Sequence, residues 1–151
     1  MLIEHETFGP ETGPPRGRSW DDAVFRWCNF AQLEIEGQMI GGALLGCELR
    51  EVDWYRGLFN TTLISHTTFK SCIFRGTSLG SCELVVCRFE DCRFVLDNLQ
   101  GPCKVENCVV VETAFDRCEF IRESPRHTPV FVNSRWYGCT RRECSGLEGI
   151  F

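Results

Sequence analysis

The chain has 151 residues, a net charge of −5 and eleven cysteines. That length supports one domain with a real core rather than two, and the acidic balance argues against a generic nucleic-acid binder. No run reaches the ~18 apolar residues that a membrane-spanning helix needs. An odd cysteine count with no export signal ahead of it points to reduced thiols in a cytoplasmic protein, not a disulfide framework.

Residues 1 to 19, MLIEHETFGPETGPPRGRS, carry acids, paired prolines and no apolar core run. They predict an irregular N-terminal arm and not a secretory signal. A period of five then begins. Phe25, Phe30, Ile35 and Ile40 are followed, after a one-residue deletion, by twelve large apolar centres from Leu44 through Trp54, Phe74 and Phe94 to Leu99. A one-residue insertion near Gly101 and Pro102 precedes Val105, Val110, Phe115 and Phe120. The stretch from Ile121 to Val130 reads as a loop, and the frame resumes at Phe131 and Trp136.

Of these 22 centres, 17 have Ala, Gly, Ser, Thr or Cys two residues earlier, so a small side chain regularly precedes a large one. Nine cysteines obey the rule, from Cys28 to Cys118, and Cys139 and Cys144 continue the frame. A helix advances 100° per residue, so a period of five scatters the large residues over all its faces. A straight strand would flip successive centres to opposite faces. The pattern suits a chain that is extended for three residues, so that the small and large side chains point the same way, and then turns.

The small-x-large-x-x pattern in CNFAQ, CIFRG, CRFED and CEFIR resembles the pentapeptide-repeat family. The resemblance implies a right-handed quadrilateral parallel β-helix, an all-β solenoid of about six coils spanning residues 20–146, with residues 147–151 as a C-terminal cap. Trp20 is expected to cover one end, and Leu147, Ile150 and Phe151 the other. Twenty residues per coil predicts an inner aromatic column of Trp54, Phe74, Phe94, Phe115 and Trp136. It also predicts stacked thiol pairs such as Cys72 with Cys92 and Cys87 with Cys108.

Cysteines spaced by five lack the C-x-x-C pairing that metal sites usually use, so they read as small apolar packing groups. His5, His66 and His127 fall in the arm, on a coil and in the loop. No catalytic or phosphate-loop motif accompanies them, and a filled coil offers little cleft, so neither an enzyme, a cofactor nor a metal is expected. The surface carries what remains. Residues 21 to 60 hold seven acids against three arginines, whereas residues 121 to 151 hold five arginines against three glutamates. Glu34, Glu36, Glu48, Glu51 and Asp53, with the aromatics Trp27, Tyr55 and Tyr137 outside the inward frame, are the candidate partner-binding residues. The family resemblance implies a binding protein with a protein partner and no small-molecule substrate, nucleic acid or membrane. It implies an immunity protein against a bacterial toxin or, alternatively, a DNA-mimicking protector of gyrase, and it leaves a homodimer open.

Overall fold

The structure is a computed structural model that describes residues 1–14 and 20–151. Among these, 24 strands of two or three residues form four parallel sheets, with no helix. Face A stacks seven strands from Leu2–Glu4 through Val24–Arg26 to Arg135–Tyr137, and face B seven from Thr7–Phe8 to Thr140–Arg142. Face C stacks five from Glu34–Glu36 to Glu119–Phe120, and face D five from Met39–Ile40 to Phe131–Val132. The chain visits A, B, C and D in turn, and parallel crossovers are right-handed. A right-handed four-sided β-solenoid results.

Most three-residue strands bury the middle residue and leave the flanking ones outside, as in Asp53–Tyr55 around Trp54; flanking Ala43 and Val95 are also buried, and the last strand, Thr140–Arg142, is exposed throughout. Backbone groups are satisfied from coil to coil: the Ile73 amide donates to Val52 O at 3.0 Å and the Arg93 amide to Cys72 O at 3.0 Å. At the regular corners the residue two past the centre lies in the left-handed region, as do Trp27 (φ 54°), Val86 (φ 54°) and Gly46 (φ 61°). The small residue before each centre has a second use. Its thiol or hydroxyl donates to the carbonyl of the centre one coil earlier, as Cys47 does to Phe25 O at 3.2 Å, Thr67 to Leu44 O at 3.2 Å and Cys92 to Phe69 O at 3.3 Å. This contact joins coils at the corners, and it explains why Cys, Thr and Ser interchange there.

Several expectations are corrected. Residues 2 to 8 belong to the solenoid: Leu2–Glu4 pairs with Val24–Arg26, and Ile3 and Phe8 are buried. Their spacing of 22 residues from the next coil hides the period; residues 15–19 of the expected arm lie outside the described residues. Leu99 is no inward centre but the tip of a loop, 67% exposed. Face C ends at Val95 and face D resumes at Lys104, so six residues are added at one corner rather than one. The loop from Ile121 to Val130 likewise adds six residues at the same corner. Each of the later coils therefore holds 26 residues, and Phe94 pairs with Phe120 while Phe89 pairs with Phe115. The expected column breaks after Phe94, and two aromatic columns replace it: Trp54, Phe74, Phe94 and Phe120 on face C, and Phe69, Phe89 and Phe115 on face B. The phenylalanine rings of each column stack face to face, as Phe69 and Phe89 do at 4.7 Å and 3° and Phe74 and Phe94 at 4.7 Å and 7°. For the same reason Cys87 lies beside Thr113, and Cys108 beside Cys82.

The one-residue deletion sits where face D turns to face A. A Cβ on Gly42 would lie 1.9 Å from Ala23 O, so only glycine lets the shortened corner close. Trp20 covers the N-terminal end against Phe25 and Phe30, at 5.7 and 6.3 Å. At the other end Leu147 is buried and Phe151 stacks on Trp136 at 5.0 Å.

Candidate functional site: an apolar face and an acidic face

Because inward positions are filled, whatever this molecule recognises must be read by the residues flanking each centre. On face A those residues form two columns. The first runs Leu2, Val24, Ala43, Leu63, Glu83, Val109 and Arg135 in register, and the second Glu4, Arg26, Leu45, Ser65, Val85, Val111 and Tyr137. Five consecutive rungs thus present aliphatic side chains with Glu83 as their one charge besides Arg26 at the margin. Charges gather toward the ends: Arg26 pairs with Glu4 at 2.6 Å, and Arg135 stands in the last rung. Seven rungs spaced about 4.8 Å apart and three residues wide give a flat strip of roughly 300 Å². That area includes the charged rungs, and within it Leu63 is exposed while Val24, Leu45, Val85, Val109 and Val111 are half-buried; a patch of this size is ordinary for a monomer, and the largest such patch is often a functional one.

Trp27 flanks this face at the corner toward face B, 50% exposed. Its indole lies 4.9 Å from the His5 ring, with the Arg26 guanidinium 4.5 Å from its centroid. A side chain on Gly46, the next corner up, would meet the indole at 2.7 Å, so that glycine leaves room for the ring. Tyr137, 52% exposed, closes the far end of the same face.

Face C lies on the opposite side of the rod. Glu34 stacks on Asp53 and Glu36 on Tyr55 in the strand register. Together with Arg75 and Asn98 they line an open depression of about 540 Å³. Arg75 bonds Asp53 at 3.1 Å, and the Tyr55 hydroxyl donates to Asn98 Oδ1. Beside it, Asp97 accepts from the amides of Leu99 and Gly101 and from Arg56 at 3.2 Å. Burial alone would raise this carboxyl, but those three donors outweigh it and hold it below the ordinary carboxylate range.

The eight candidate residues therefore do not form one site. Glu34, Glu36, Asp53 and Tyr55 share face C, Glu51 occupies the corner between B and C against Gln32, and Glu48 lies on face B. Trp27 and Tyr137 belong to face A. Missed altogether were the aliphatic positions between those two aromatics, Val24, Leu45, Leu63, Val85, Val109 and Val111. Their signal was present in the residues one before and one after every fourth centre, but the two six-residue insertions hid which centres share a face.

All eleven cysteines are free thiols, nine of them buried. Burial pushes Cys47 and Cys87 up to about 11 and Cys103 up to about 12, so these thiols carry no reactive thiolate at neutral pH. Among the described residues, no group of three or more His, Cys, Asp or Glu is placed to hold a metal.

No family model and no curated protein matches the sequence. Solved structures do. Two trypsin-treated variants of QnrB1, a plasmid-mediated fluoroquinolone resistance protein, align at 13% and 14% identity with TM-scores of 0.47 and 0.48. Each alignment covers 95% of this chain and 68% or 67% of the other. Rfr23, a pentapeptide repeat protein from the cyanobacterium Cyanothece 51142, aligns at 12% identity and a TM-score of 0.35, covering 95% of this chain and 83% of its own.

Proposed function

We propose that this pentapeptide-repeat solenoid is a non-enzymatic binding protein that lays face A against an apolar surface of one protein partner and neutralises it. The observation that supports the reading is the strip of partly exposed aliphatic side chains bounded by Trp27 and Tyr137, since acidic side chains on a rod are ordinarily only solvated whereas the main apolar patch of a monomer is often a functional one. The strip alone falls short of the ~800 Å² per partner of a standard interface. The partner must therefore also grip the corner at Trp27 and part of face B, where Glu48 favours a basic rim.

An immunity role against a bacterial toxin, exercised in a reducing cytoplasm, fits a rod that masks a partner by shape and apolar contact. Protection of gyrase by DNA mimicry is the alternative, and the charge pattern weighs against it. A mimic needs an unbroken anionic track, but Asp53, Asp91, Asp116 and Glu119 are each paired with an arginine, and Arg75 and Arg93 follow Asp53 up face C.

The test is co-purification with the product of the adjacent gene, using wild type and Leu63→Glu and Val109→Glu. Both substitutions are expected to abolish capture while leaving the melting temperature within a few degrees. Capture that survives both charges, or protection of gyrase supercoiling from a quinolone by wild type and Val109→Glu alike, would overturn the assignment to face A.

A further inference from the structure

Two loops are inserted at the same corner, one after Val95 and one after Phe120, and they enclose a recess of about 150 Å³ lined by Gln100, Gly101, Lys104, Ser124, Arg126 and Thr128, with Leu99 and Pro102. That is room for about five waters, too little for a drug-sized ligand. Three features of the recess point the same way. Ser124 is 5% exposed and its hydroxyl has no hydrogen-bond partner, whereas buried polar atoms are almost always paired. Neither Lys104 nor Arg126 has an ion-pair partner among the described residues. No carboxylate lines the recess: in the first loop Asp97 is already committed to Arg56 and to the amides of Leu99 and Gly101, and in the second the exposed Glu123 makes no ion pair with Lys104 or Arg126 among the described residues.

From this juxtaposition we infer that the recess is a binding site for a small phosphate-type anion, either free phosphate or a phosphomonoester. An ammonium, a guanidinium fork and the hydroxyls of Ser124 and Thr128 are all donors, and a tetrahedral dianion presents enough acceptor oxygens to use them together. A carboxylate has two oxygens and one charge and leaves donors unmet. The site lies on the corner diagonal to Trp27, so its occupancy is separate from the binding reading above and stands or falls without it.

Calorimetric titration of the full chain in phosphate-free buffer at fixed ionic strength tests this, with inorganic phosphate and glycerol phosphate as probes. One saturable site is expected, with a Kd below about 1 mM, competed by sulfate and not by acetate; the tighter of the two probes identifies the source. The Lys104→Ala/Arg126→Ala double variant should lose at least tenfold in affinity and Ser124→Ala a few-fold, with melting temperatures measured in parallel to show that each remains folded. Unsaturable heats for both probes, acetate binding as tightly as phosphate, or affinity unchanged in the double variant would each overturn the site. Ser124 would then be served by water alone.

Discussion

Val86 sits at a corner with φ 54°, a conformation that β-branched side chains adopt at a cost. The corner type demands the left-handed residue, yet glycine fills only a few such positions, including Gly37, Gly46, Gly76 and Gly138. The rest carry side chains that face solvent and contribute surface rather than stability. Val86→Asn is therefore expected to stabilise the protein by about 1 kcal/mol, because asparagine tolerates this region; chemical denaturation measures it, and no gain would mean the corner is not strained. The buried thiols give a second residue-scale outcome. Cys47, Cys87 and Cys103 titrate at about 11 to 12 in the native protein, against about 8.5 when unfolded. A group whose native pKa is raised contributes stability that is complete below pH ~8.5 and is lost as the pH rises toward 11. Thermal melting between pH 7 and 10.5 should show a decline that is shallower in Cys87→Ser, whose hydroxyl keeps the bond to Ile64 O; equal slopes would refute the attribution.

At the level of strands and loops, the five-residue frame was legible because every inward pair repeats it, and the corner geometry follows from it. What could not be read was how many residues each corner consumes. Leu99 fits the period by coincidence of spacing: the loop after Val95 happens to place a leucine five residues beyond Phe94, and nothing local distinguishes a stacked centre from a loop tip. Residues 2 to 8 hide their strands for the opposite reason. Their centres Ile3 and Phe8 keep the period, but acids and a proline nearby disguise two short strands whose partner lies 22 residues on. The loop that carries Leu99 is held by Asp97, whose lowered carboxyl contributes stability present above its unfolded value near 3.9 and lost as the pH falls through the native value. Asp97→Asn should cost about 1 kcal/mol at pH 7 and flatten the loss of stability below pH 4. A wild-type acid profile retained in the variant would assign that loss to other carboxylates.

Across the whole molecule, the rod is closed by its ends as much as by its coils, since a terminal coil has a neighbour on one side only. Leu147 covers the last centres and is almost fully buried. Leu147→Ala is expected to lower stability by about 2–4 kcal/mol and to expose aromatic rungs around Phe115 and Trp136, which light scattering would report as self-association; a monomer of unchanged melting temperature would show the cap to be dispensable. The identity of the face that meets a partner was beyond the sequence because it depends on adding up every insertion along the chain. Those insertions share one address. Both loops leave from the corner between faces C and D, so chain length there can vary without shifting the register of faces A and B by a single rung. An engineer wishing to attach a fluorophore-binding peptide or an affinity handle has a place for it on that edge, pointing away from the aliphatic strip, where nature has already lengthened the polymer twice.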